Sequence, residues 1–207
     1  YLEIIKNLTV YALPVANFSA TAQTCLNDIT SFTTISDPIG PTIVGYLWDF
    51  NGESTSALKD PGYAFSAVGT KSIKYSVKSD VGCWSDVVQK SIEIMNLPTA
   101  DFSNSAITCE KGEIQFTDKS SVIAQNIVKW DWDFGDPSSA SNSSTLQNPK
   151  HTFQAFGNYA VKLTATSNLG CKQTITKQIQ VHPLPIVDFD MPDICLKDAS
   201  ALFNNIT

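Results

Sequence analysis

The chain has 207 residues, room for one large domain or two small ones. Its fourteen basic residues are all lysine and stand against 20 Asp+Glu, a net charge of −6, so it lacks the bidentate arginine grip that phosphate backbones reward and reads as a chain with no nucleic-acid partner. No run approaches the ~18 consecutive apolar residues of a membrane span, while 43% hydrophobic residues suffice for packed cores.

In chain order the first pattern is an alternation of Ile4, Lys6, Leu8 and Val10. Period-two alternation marks a strand with one buried face. The segment Leu13-Pro14-Val15-Ala16-Asn17-Phe18 follows, then Cys25, then the alternating run Val44, Tyr46, Trp48, Phe50. Asp37-Pro38, Asn51-Gly52 and Asp60-Pro61-Gly62 punctuate these runs as turns. Gly69 opens the strand Ile73, Tyr75, Val77, and its place before a strand predicts a positive φ. Gly82-Cys83 ends that strand, and Val88, Lys90, Ile92 and Ile94 form the next.

The series then starts again. Leu97-Pro98-Thr99-Ala100-Asp101-Phe102 repeats the opening segment at an offset of 84, Cys109 repeats Cys25, and Trp132-Asp133-Phe134 repeats Trp48-Asp49-Phe50. From Gly157 and Gly170-Cys171 onward the offset is 88, which places an insertion of four residues around Ser138–Ser144. Of the N-x-S/T sequons at Asn7, Asn17, Asn142 and Asn205, only Asn142 falls in this inserted loop and reads as a glycan site. Ile175, Lys177, Ile179 and Val181 repeat the final strand, and Leu184-Pro185-Ile186-Val187-Asp188-Phe189 opens a third series, with Cys195 in the place of Cys25. Residues 1–12 therefore read as the last strand of a preceding repeat, 13–96 and 97–183 as two whole repeats, and 184–207 as the start of a following one. Partners on this reading are neighbouring repeats of the same chain.

About seven short alternating strands in ~85 residues, with turn signals between them and no helical stripe, predict an all-β Greek-key sandwich of immunoglobulin type. Trp48, Phe50, Trp132 and Phe134 fall on the inward phase and form the expected core. The joints Met95-Asn96-Leu97-Pro98 and His182-Pro183-Leu184-Pro185 lack a Gly/Ser tether, so the sandwiches are expected head to tail in a rod.

The second copy carries Trp132-Asp133-Phe134-Gly135-Asp136, then Asn148-Pro149-Lys150-His151-Thr152-Phe153, then Gly157-Asn158-Tyr159-Ala160-Val161-Lys162-Leu163. This series resembles the polycystic-kidney-disease (PKD) domain, with its WDFGDG motif, N-P-x-H-x-Y/F stretch and G-x-Y-x-V-x-L strand. The first copy departs at Asn51-Gly52-Glu53, at Tyr63-Ala64-Phe65 and at Lys71, which replaces the tyrosine. The resemblance implies a non-catalytic stalk or filament segment of a repetitive bacterial surface adhesin, serving attachment or gliding outside the cell. The alternative it implies is a spacer in a secreted hydrolase. A third reading is a carbohydrate-binding module that takes surface glycans through Trp84. Some family members bind calcium, for which Asp133 and Asp136 are the candidate ligands; otherwise no cofactor is implied.

Cysteine recurs before the second strand and after the sixth of each repeat, solitary each time, which is not zinc-site spacing. Disulfides and an oxidising, extracellular location follow. Two pairings stay open. Within a repeat, Cys25 would bond Cys83 and Cys109 would bond Cys171. Those turns lie at opposite ends of a sandwich, about 17–20 Å apart, beyond the reach of a disulfide. Between repeats stacked head to tail, the turn before the second strand of one faces the turn after the sixth of the next, so Cys25 would bond Cys171; this pairing is slightly favoured and puts the partners of Cys83, Cys109 and Cys195 in repeats beyond this stretch. For catalysis the best single residue is His151, but the stretch it belongs to resembles one in which the histidine packs; His182 stands at a joint where the other copies carry Tyr11 and Met95, as an interface side chain would, and the chain reads as no enzyme.

Overall fold

The structure is a computed structural model that describes residues 8–106, 108–190 and 204–205. It divides into two units, one of residues 1–97 with 169–171, the other of residues 98–168 with 172–207. Among the described residues all regular structure is strand.

The first unit contains β1 (Phe18–Ala20), β2 (Gln23–Cys25), β3 (Ile29–Thr34), β4 (Ile43–Phe50), β5 (Thr55–Ser56), β6 (Gly62–Ala64), β7 (Gly69–Ser79) and β8 (Val88–Met95). They form two sheets, β1-β3-β6 and β2-β8-β7-β4-β5. All pairs are antiparallel except β2 with β8, where Cys25 lies opposite Met95 at the far end of β8. The second unit contains β9 (Phe102–Asn104), β10 (Glu113–Asp118), β11 (Ile127–Asp133), β12 (Ser143–Ser144), β13 (Lys150–Thr152), β14 (Gly157–Ser167) and β15 (Lys172–Val181). Its sheets run β13-β10-β9 and β12-β11-β14-β15. Non-consecutive neighbours in both units give the Greek-key order of an immunoglobulin-like sandwich. A short ladder of β16 (Phe189–Asp190) with β17 (Asn204–Asn205) follows.

Each sandwich closes over its own aromatic core. In the first, Phe18, Phe32, Trp48, Phe50, Ile73, Tyr75 and Val77 are buried. In the second, Phe102, Phe116, Trp132, Phe134, Val161, Leu163 and Phe153 are buried. The alternating phase explains this, because one face of each strand is apolar and must find the facing sheet. The phase fails at one place in both copies. Val44 and Val128 continue the inward alternation in sequence yet are 60% and 56% exposed. Register shifts between Ile43 and Gly45, and between Ile127 and Lys129, turn the start of β4 and of β11 over.

Residues 1–7 lie outside the described set, and 8–12 carry no strand. The expected strand over 1–12, with Lys6, therefore has no described counterpart.

Candidate functional site

The indoles anchor the constellation. Trp48 Nε1 donates to the Leu58 carbonyl and Trp132 Nε1 to the Leu146 carbonyl, each at 2.9 Å, so both buried rings keep their one polar atom satisfied. Tyr75 stacks on Trp48 at 3.8 Å between centroids, and its hydroxyl meets Thr34 at 2.5 Å. Burial pushes the Tyr75 phenol above its ordinary pKa.

The aspartate after each indole organises the following turn. Asp49 Oδ1 accepts Gly52 N–H at 2.6 Å, and Asp133 Oδ1 accepts Gly135 N–H at 3.0 Å. Gly135 is required where it stands: its φ is +66° and a Cβ would come within 2.7 Å of the Ala160 carbonyl oxygen. Asn142, from the inserted loop, locks the turn from outside. Its Oδ1 accepts Asp136 N–H at 2.6 Å and its Nδ2 donates to Asp133 Oδ1 at 3.1 Å.

Asp133 and Asp136 do not fit a calcium ion. Calcium needs six to eight oxygens with lone pairs turned toward it. Here Asp136 Oδ1 accepts the Ser138 hydroxyl at 2.7 Å and Oδ2 faces His151 Nε2 at 3.3 Å. Asp133 Oδ1 carries two N–H donors, and the Lys162 ammonium stands 3.7 Å from Oδ2. Of the four carboxylate oxygens, Asp133 Oδ2 is the one without a hydrogen-bond donor, and one half-exposed oxygen is too few for calcium.

His151 is not placed for catalysis either. Its ring stacks on Phe134 at 4.3 Å, meets the edge of Phe153 at 4.5 Å and is 4% exposed. The first copy fills the same space with other chemistry: Tyr63 stacks on Phe50 at 4.7 Å, and Lys71 forms a 2.6 Å ion pair with Glu53. Sequence reasoning missed both pairs. Their signal was the exchange of Tyr63 for His151 and of Lys71 for Tyr159 at the offset of 88, with the acid shifted by one place, from Glu53 in the first copy to Asp136, which aligns with Gly52. Burial raises the Tyr159 phenol, with a smaller push from the negative charge of Asp136.

The lysine that recurs in the last strand pins the first. Lys90 Nζ donates to Asn17 Oδ1 at 2.8 Å and to the Phe18 carbonyl, and lies over the Phe18 ring. Lys177 does the same with Phe102 and forms a 2.6 Å ion pair with Asp101. That hydrogen bond holds the Asp101 carboxyl below its ordinary pKa.

The structure bonds Cys25 to Cys171, with Cα atoms 5.6 Å apart, and leaves Cys83 and Cys109 as thiols. Register explains why a repeat is not bonded to itself. Cys25 sits opposite Met95 and Cys109 opposite His182, each at the C-terminal end of the last strand, whereas Cys83 and Cys171 precede that strand's start. Seven or more strand residues at about 3.3 Å each separate the two ends. Cys195 lies outside the described residues. Trp84 is 42% exposed, and Lys78 Nζ lies 5.8 Å from the centre of its ring. His182 serves through its backbone, which bonds Thr108 and Glu110.

The fold and these cores define a class: an all-β chain of repeated immunoglobulin-like sandwiches. Residues 95–182 match the family described as the PKD domain. Over 183 residues, 87% of its length, the chain is 27% identical to the pre-pro-metalloprotease PrtV of Vibrio cholerae, and it spans 19% of that protein. The crystal structure of the PKD1 domain of PrtV is 29% identical, covering 40% of this chain and 98% of that one, at a TM-score of 0.37. That of the PKD1 domain of Vibrio anguillarum Epp is 23% identical, covering 41% and 99%, at 0.36.

Proposed function

We propose that both repeats are PKD-type sandwiches in a longer tandem array, and that the array is the non-catalytic stalk of a secreted, cell-surface adhesin, holding a distal binding element off the envelope for attachment or gliding. The observation that carries this reading is the Cys25–Cys171 disulfide. It spends a covalent bond on residues 146 apart in sequence, one from each repeat, and such a bond suits an oxidising location outside the cell. The short proline-bearing joints and the acidic, arginine-free composition support the same reading. So does the chemistry of the sites, where carboxylates, imidazole and indoles serve packing and turns rather than a substrate.

A spacer in a secreted hydrolase is the second reading, favoured by the 27% identity to a pre-pro-metalloprotease. The parent reading frame separates the two: many further copies of the Leu-Pro-x-x-Asn/Asp-Phe segment support the stalk, and a single catalytic domain beside few copies supports the spacer. Antibody against this chain should decorate intact cells, and cells lacking the gene should lose surface attachment. Unaltered attachment would overturn the adhesin reading.

A further inference from the structure

The second unit carries a cleft of about 420 Å³ where β10 ends and β11 begins, and none of its walls comes from the Asp133–Asp136 turn or from a cysteine. Its polar centre is Asp118. Oδ1 accepts Ser120 N–H at 2.9 Å, and Oδ2 accepts the Trp130 indole N–H at 2.7 Å and the Gln147 amide at 3.3 Å. An ionised carboxylate offers about four lone-pair positions, so these donors leave one open. Among the described residues no lysine pairs with Asp118, and its charge is met by neutral dipoles alone. Val122, Ile127 and the half-buried Trp130 ring form apolar walls, and Gln125 lines the same cleft with a buried Oε1 that receives no donor. The first unit has the same frame and different chemistry. Thr34 N–H rests on Asp60 Oδ1 as Asp118 N–H rests on Asn148 Oδ1, which fixes the correspondence. Thr34, Tyr46 and Lys59 then stand where the second unit has Asp118, Trp130 and Gln147, so the acid is gone and a cation has come in.

We propose that this cleft is a binding site for a lysine side chain of a partner polypeptide. An ammonium fits the one open position on Asp118 as a compact point charge, and the indole beside it adds cation–π attraction. Arginine fits less well, since its planar fork calls for two acceptor positions side by side on one carboxylate and here only one is open. The apolar walls suit the aliphatic stem that carries the ammonium. A neutral hydroxyl or amide would fill the open position and leave the charge of a part-buried carboxylate uncompensated, which makes the cation the preferred ligand. The site belongs to the second unit and not to the first, where Lys59 brings a positive charge of its own to the same place. It holds for a stalk and for a spacer alike.

The test titrates the whole isotope-labelled chain with Nα-acetyl-lysine amide and follows the Trp130 indole N–H resonance. A weak, saturable shift is expected, and added salt should weaken it by screening the charges. Nα,Nε-diacetyl-lysine amide keeps the stem and loses the charge, and should bind at least about tenfold more weakly. The arginine analogue should also bind more weakly than lysine. Asp118→Asn should cost about the same tenfold. Gln147→Lys copies Lys59 of the first unit, keeps the acid and tethers a cation beside it. It should abolish the response while resonances away from the cleft stay in place, which separates loss of the site from loss of the fold. Equal affinity for the neutral or the guanidinium probe, a shift that survives Asp118→Asn, or no saturable shift at all would overturn the proposal. Binding of glucosamine in place of the lysine probe would overturn it in favour of an amino sugar.

Discussion

At the scale of single residues, the two copies show what one substitution does to the same contact. Lys90 and Lys177 reach back to the first strand of their repeat and meet Asn17 in one copy and Asp101 in the other. The amide gives a contact indifferent to pH and the carboxylate gives one that titrates. The Asp101 pKa is lowered in the fold, so its pairing stabilises above the ordinary value of 3.8 and the contribution fades as pH falls through the lowered value. Asp101→Asn should therefore flatten the acid limb of the second unit's stability without altering the first. Urea midpoints measured above and below pH 3.8 check this, and an unchanged acid limb would show that Lys177 contributes nothing through charge. The sequence made this lysine visible as a thrice-recurring mark on an apolar strand face. Its task was hidden, because the partner lies more than seventy residues away and the cation sits over a ring.

At the scale of strands and turns, alternation revealed the sheet faces and the repeat revealed their order. The Trp-Asp-Phe run placed both indoles and the turn-forming aspartates. The valines that begin the same strands misled, since a bulge inverts the phase and leaves no mark on hydropathy. The turn after the run was legible only in part. Lys71 is 7% exposed on its side chain and depends on Glu53, which is 26% exposed. Removing one member of a largely buried pair strands the other, at a typical cost of about 3 kcal/mol, reduced here to about 2 because water reaches Glu53. Glu53→Ala should lower the stability of the first unit by that amount and leave the second unchanged. Two-step denaturation followed by tryptophan fluorescence reads both. A loss shared equally between the units would mean that they unfold as one.

At the scale of the whole chain, the cysteine pattern was visible from sequence as two families of turns, and the pairing needed the register of β2 against β8 to be understood. That pairing has a consequence for tension. A pull on the two ends enters at Cys25 and leaves at Cys171, because the sulfur–sulfur bond is the shortest covalent path between them. Every strand from β3 to β14 hangs in a side loop that carries no load, and with them goes most of both aromatic cores. Only β1, β2 and β15 remain on the loaded path before the last short ladder, and a strand gripped at its own two ends is already extended and has little slack to yield. Stretched in a force spectrometer, the oxidised chain should release no length from residues 26–170. Adding reductant should release about 50 nm, the span of 146 residues at about 3.4 Å each. Equal contour lengths in both states would show that load runs through the sandwiches; the expected difference would make the chain a tether whose give is set by one bond.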